Sequence, residues 1–261
     1  MSLVAALDRF KTSYESGVRR IALRAMASLA RTRVSPNALT AGGVTLCAVS
    51  AVLAYFEYRN ELLFFWLGAG IFLLGSILDI LDGALARAGG KTTPFGAFLD
   101  STTDRVSEGF MLGAIALIES RNGNTTSLAF TIAAIAGSFL VSYTRAKAEG
   151  LGFSPGTGMA AVGIMPREVR LVVLCGGLVL GGLIGADLVV PDGGFKGAGG
   201  AALPPGMLVI EGSLAIIALG ATLTVIQRIL QTRAEARRQA RADAMNAALD
   251  VATTEAGERA T

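Results

Sequence analysis

Four aspartates, Asp79, Asp82, Asp100 and Asp104, stand at fixed spacing inside and between two strongly apolar stretches. With Gly83, Ala86, Arg87 and Gly96 they form the pattern D-x-x-D-G-x-x-A-R-x8-G-x-x-x-D-x-x-x-D. On a helix, positions three or four apart share a face, so Asp79 goes with Asp82 and Asp100 with Asp104, each pair on its own helix. A carboxylate near membrane depth costs roughly 2.5–3.5 kcal/mol on insertion scales, so four together demand a cationic companion. The simplest companion is a pair of divalent metal ions. The chain has no histidine, which leaves oxygen ligands and favours magnesium or manganese over zinc.

The residues around the aspartates suit a phosphate ligand. Gly83 follows Asp82 where a side chain would block a bulky anion, and Arg87 brings a fork-shaped cation one turn later. Gly89, Gly90 and Lys91 break the helix, Thr93 can cap the next one with Pro94 at its first position, and Gly96 keeps the face beside Asp100 open. These features describe a metal-diphosphate site roofed by two helix ends.

The elements that carry such a site must cross a membrane. Hydrophobic residues make up 52% of the 261 and charged ones 16%, and mean hydropathy is +0.56. The apolar residues fall in six blocks of spanning length, about 38–57, 62–84, 95–118, 126–147, 168–189 and 207–230. The predicted fold class is therefore an all-α integral membrane protein with six transmembrane helices. Residues 1–34 mix Val4, Leu7, Phe10, Ile21, Leu23 and Leu29 with arginines, the composition of an amphipathic helix lying in the interface. No cleavable signal peptide is expected there, because the arginines interrupt any compact apolar core. Residues 35–232 form the membrane domain, opened by Ser35 as cap and Pro36 as first helical residue. Residues 190–206 are expected to form an external loop, and the tail 233–261 to fray from helix into disorder.

Cations accumulate on one side of these spans, and the other side holds only Arg59, Arg121 and Lys196. The positive-inside rule then places both termini and the aspartates on the cytoplasmic side of the cell membrane, within reach of a water-soluble substrate. Cys47 and Cys175 sit mid-span and are expected to be buried as small hydrophobes. Gly177, Gly181 and Gly185 make a small-xxx-small ridge that fits packing within a subunit or between two.

Further cations stand at cytoplasmic span ends: Arg145 with Ser142 on one helical face, then Arg167, Arg170 and Arg228. Positive-inside anchoring would explain some of them singly. Together they would form a pocket for an anionic acceptor.

The aspartate pattern resembles the CDP-alcohol phosphotransferase (CDP-alcohol phosphatidyltransferase) family, with every fixed position of that family's motif present. The resemblance covers most of residues 1–230 and implies transfer of a phosphatidyl group from CDP-diacylglycerol to an alcohol, with release of CMP. It implies that Asp79, Asp82 and Asp100 are chiefly metal ligands. Asp104 would be the base that accepts the alcohol proton and would also reach a metal. It further implies that Asn37, Ala38, Leu39, Thr40, Gly83, Arg87 and Thr93 contact the CDP-lipid, and that the enzyme is a homodimer. The segment Ser142-Tyr-Thr-Arg-Ala-Lys-Ala-Glu149, the Arg167 and Arg170 start of span five and the Gln227-Arg228 pair are similar to the actinobacterial phosphatidylinositol phosphate synthase branch. That similarity implies inositol phosphate as acceptor. Two other readings stand beside it. One is a phosphatidylglycerophosphate synthase using glycerol phosphate, whose motif wording is replaced here by Asp100-Ser-Thr-Thr-Asp104-Arg105. The other is a divalent-cation transporter, which would not need Gly83, Arg87 and Gly96. No nucleic-acid partner is expected.

Overall fold

The computed structural model describes residues 35–90, 92–153, 162–187 and 205–258, excepting the side chains of residues 88, 186, 187 and 249–258. The interfacial helix expected over 1–34, and the loop expected over 190–206 as far as residue 204, lie outside the described residues. Among the described residues the fold is all helix: α1 (Pro36–Tyr55), a short 3-10 turn (Glu57–Arg59), α2 (Glu61–Ala88), α3 (Pro94–Arg121), α4 (Thr125–Gly150), α5 (Arg167–Asp187) and α6 (Pro205–Glu258).

Local chemistry sets the helix starts. Ser35, Asn60, Thr93 and Asn124 each sit at an N-cap and accept from the backbone N–H three residues on, at 3.2, 2.9, 2.9 and 3.2 Å. Such a contact satisfies a donor the helix itself cannot. Pro36 and Pro94 occupy first-turn positions, as expected. α2 ends at Gly89, followed by Gly90 at φ +60°, a conformation that favours glycine.

Five of the helices are long and apolar enough to cross a membrane, with spans Pro36–Arg59, Glu61–Arg87, Thr125–Gly150, Arg167–Gly185 and Pro205–Ala248. α3 has the length, 28 residues, but carries Asp100, Asp104, Arg105, Glu108, Glu119 and Arg121 and falls outside that set. Its charged residues join Asp79 and Asp82 of α2 in bringing polar chemistry into the bundle. α1 packs on α2 and α3, α5 bridges α2 and α6, and α4 lies between α3 and α6. Phe65, Phe72, Met111, Ile115, Leu178 and Leu214 fill the core. Large apolar residues such as Val52, Leu74, Ile80, Leu117, Ile132, Val172 and Leu219 face outward, as lipid-facing residues do and as water would penalise.

Both cysteines are free and buried. The glycine ridge packs within the chain: a Cβ at Gly177 would meet Ser213, one at Gly181 would lie 2.9 Å from the Gly206 carbonyl oxygen, and one at Gly185 would meet Glu61. α1 and α2 approach in the same manner, with a Cβ at Gly43 falling 2.9 Å from the Gly75 carbonyl oxygen. The tail differs from expectation. α6 continues unbroken to Glu258, because alanine, arginine, glutamate and glutamine have high helix propensity and no proline or glycine interrupts them before Gly257.

At the bundle end remote from the aspartates, Arg121 pairs with Glu57, donates to the Tyr55 carbonyl at 3.1 Å and lies 4.7 Å from the Tyr58 ring centroid. Asn124 donates to Glu211 across 3.1 Å. These contacts tie the connections between helices together, away from the chemistry.

Candidate active site

The last turns of α2 and the first turns of α3 meet beside the start of α1. One oxygen from each of Asp79, Asp82 and Asp100 lies within 4.8 Å of the others. Asp79 and Asp82 are buried, and Asp100 is half-buried. Thr40, presented by the close α1–α2 approach, donates its hydroxyl to Asp82 Oδ2, while Asp82 Oδ1 is buried with no hydrogen-bond partner among the described residues. Neither Asp82 nor Asp100 is ion-paired among those residues. Three converging carboxylates, two of them without an ion-pair partner and one with an unmatched buried oxygen, fit a hard divalent cation.

Asp104 lies one turn further along α3 and pairs with Arg167, whose Nη1 is also 2.9 Å from Asp79 Oδ2. Arg167, expected from the sequence at an acceptor phosphate, thus stands at the edge of the aspartate cluster. α5 projects it there from its first residue.

Two cavities open onto this line of carboxylates. The first, about 330 Å3, is lined by Asn37, Thr40, Asp82, Gly83, Arg87, Thr93, Gly96 and Asp100, together with Ser35, Pro36, Ala86, Thr92 and Ala97. A Cβ on Gly83 would sit 3.3 Å from Arg87 Nη1, so glycine leaves room for the guanidinium to fold back along α2; a Cβ on Gly96 would sit 3.1 Å from the Thr93 hydroxyl. Two of the expected CDP-lipid residues do not line this cavity. Leu39 turns into the core and Ala38 is exposed, because a 3.6-residue period gives the cavity face to Asn37 and Thr40.

The second cavity, about 130 Å3, is lined by Asp104, Arg105, Glu108, Val141, Ser142, Arg145, Pro166, Arg167, Glu168, Arg170 and Arg228. Every residue expected at the acceptor phosphate borders it. They differ in their engagement. Arg145 is exposed and held 3.1 Å from Glu149, a contact within one helix turn. Arg228 is buried and donates to the Val162 carbonyl at 3.0 Å and to the Val141 carbonyl. Arg170 is buried against Glu108.

Arg105 and Glu108 were not among the sequence candidates. The signal for Glu108 was present, since it stands four residues after Asp104 on the same helical face.

The profile of the CDP-alcohol phosphatidyltransferase family matches residues 33–186, which include all four aspartates and Arg167. A Streptomyces avermitilis phosphatidylinositol phosphate synthase is 35% identical over 223 residues, covering 85% of this chain and 80% of that protein. An archaetidylinositol phosphate synthase from Pyrococcus horikoshii is 40% identical over 150 residues, covering 56% of this chain and 70% of that one. The crystal structure of Mycobacterium tuberculosis phosphatidylinositol phosphate synthase with CDP-DAG bound superposes with a TM-score of 0.62 at 25% identity, covering 82% of this chain and 94% of that one. The family profile spans more than half of the chain and the Streptomyces relative is matched over most of its length, so the chain belongs to the CDP-alcohol phosphatidyltransferase family.

Proposed function

We propose that this chain moves the phosphatidyl group of CDP-diacylglycerol to a hydroxyl of inositol phosphate, giving phosphatidylinositol phosphate and CMP. One observation carries the reading: two cavities meet at one line of aspartates. Asp82 and Asp100 border the cavity with Arg87, while Asp104 borders the arginine-lined one. A donor and an acceptor bound in the two would meet there. The names of the Streptomyces and Pyrococcus relatives support inositol phosphate as the acceptor.

Asp79, Asp82, Asp100 and Asp104 would hold magnesium or manganese, in our proposal two ions, which when bound would neutralise the diphosphate and stabilise charge on the departing CMP. Arg87 and Thr93 hold the CDP side, with Gly83 and Gly96 keeping its approach open. Ser142, Arg145 and Arg167 receive the acceptor's phosphate, with Arg170 and Arg228 behind them. The acceptor oxygen forms a bond to the lipid-side phosphorus as the bond from that phosphorus to the CMP oxygen breaks. The hydroxyl proton passes to the Asp104 carboxylate.

In the bilayer we propose that α3 spans as well, making six crossings with both ends cytoplasmic. Its length and its place inside the bundle support this, as does the cation bias of the connecting segments. We also propose a homodimer, the state that the family resemblance implies.

The test is CMP release by purified protein given CDP-diacylglycerol and magnesium, against inositol phosphate, glycerol phosphate, serine and free inositol. Inositol phosphate should be used with the highest kcat/KM. A clear preference for another acceptor, or no CMP with any, would overturn the reading.

A further inference from the structure

Glu108 and Arg170 form a second rung beside the reacting one. Asp104 and Glu108 are four apart on α3, Arg167 and Arg170 three apart on α5, so the two helices face each other through Asp104–Arg167 and Glu108–Arg170. The second pair is a two-pronged fork: Arg170 Nε lies 2.7 Å from Glu108 Oε1 and Nη2 lies 2.8 Å from Oε2. The third nitrogen, Nη1, donates to the Met165 carbonyl at 3.1 Å, and the Met165 N–H donates to the Thr224 hydroxyl at 2.9 Å. The Ser138 hydroxyl adds a 3.0 Å bond to Glu108 Oε1. One carboxylate therefore joins α3, α4 and α5, and through Met165 reaches α6.

We infer that Glu108 is the positioning residue of the acceptor cavity: by clamping Arg170 it fixes the first turn of α5, and with it the place of Arg167 beside Asp104. This rests on the function proposed above. Arg170 is 2% exposed and Glu108 9%, whereas Arg167 keeps 22% of its side chain exposed. A phosphate entering the cavity meets Arg167, while the charge of Arg170 is already matched by Glu108. Removing one partner of a buried fork leaves the other as an uncompensated charge. The next carboxylate along that face is Asp104, so an unmatched Arg170 would turn toward the proton acceptor and draw the turn carrying Arg167 out of place. The donor cavity has no Glu108 or Arg170 in its wall.

The experiment compares Glu108→Gln with the wild type by initial rates of CMP release, varying acceptor and CDP-diacylglycerol in turn, with thermal midpoint and CDP-diacylglycerol binding as measures of folding. Glu108→Gln should raise KM for the acceptor about tenfold or more, since a displacement on the order of 1 Å can cost a hundredfold, and leave KM for CDP-diacylglycerol within about twofold of wild type. Glu108→Asp, which keeps a carboxylate to match Arg170, should hold acceptor KM closer to wild type than Glu108→Gln does. If Glu108→Gln does not fold, Ser138→Ala removes a single hydrogen bond to the same carboxylate and should shift acceptor KM in the same direction, by about threefold. An unchanged acceptor KM, or equal increases in both constants, would overturn the inference. A wild type inert with every acceptor would instead refute the proposed function and this inference with it; an active wild type matched by Glu108→Gln refutes this inference alone.

Discussion

Replacing Arg167 with alanine tests the division of the site into donor and acceptor halves. Arg167 Nη1 lies 2.9 Å from Asp79 and pairs with Asp104, yet its side chain stays 22% exposed and borders the second cavity. A charge-assisted bond from such a group to a phosphate is worth about 1.5–3 kcal/mol, which corresponds to roughly ten- to hundredfold in affinity. Arg167→Ala should therefore raise acceptor KM by that factor. CDP-diacylglycerol KM should hardly change, because Arg87 and the aspartates remain. Arg145→Ala should act in the same direction but by less, about severalfold, since Arg145 is exposed and already paired to Glu149. Arg228→Ala should raise acceptor KM and also lower the thermal midpoint, because it removes two bonds to backbone carbonyls. The assay is CMP release against acceptor concentration at saturating CDP-diacylglycerol, then the reverse titration. Normal acceptor kinetics in all three variants would make these arginines topology anchors and remove the physical support for a phosphorylated acceptor.

Other outcomes follow from the same geometry. Activity should vanish with a chelator and return with magnesium or manganese; full turnover in metal-free buffer would refute the aspartate site as drawn. Asp104→Asn should reduce turnover by about a hundredfold or more while CDP-diacylglycerol binding stays within a few-fold, because three aspartates still converge; equal loss of both would make Asp104 a plain ligand. Gly181→Leu should destabilise by about 1–3 kcal/mol, because its Cβ would lie 2.9 Å from a backbone oxygen of α6 that cannot move aside cheaply. An unchanged thermal midpoint in detergent would contradict that close approach.

The convergence of Asp79, Asp82 and Asp100 was legible because carboxylates in apolar sequence are costly, and their spacing survives as a shared helical face. Caps were legible for a similar reason: Ser35-Pro36 and Thr93-Pro94 satisfy local backbone donors whatever the tertiary fold. Contacts between distant segments were not. Nothing in the local sequence of Gly43 or Gly75 says that they face each other, yet their approach delivers the Thr40 hydroxyl to Asp82. The buried fork of Glu108 with Arg170 likewise joins residues 62 apart in sequence, and from sequence alone Arg170 falls in the anionic-acceptor pocket with no carboxylate partner. The path of α6 to Glu258 was underestimated because a polar, alanine-rich composition suits a solvated helix as well as a disordered tail.

The most direct test of the central claim follows the acceptor's oxygen. Purified protein would be given CDP-diacylglycerol, magnesium and inositol phosphate labelled with oxygen-18 at the reacting hydroxyl, and the products analysed by mass spectrometry. The account expects CMP and phosphatidylinositol phosphate in equal amounts, with the label in the lipid phosphodiester and none in CMP. Label in CMP, or CMP formed without phosphatidylinositol phosphate, would contradict it.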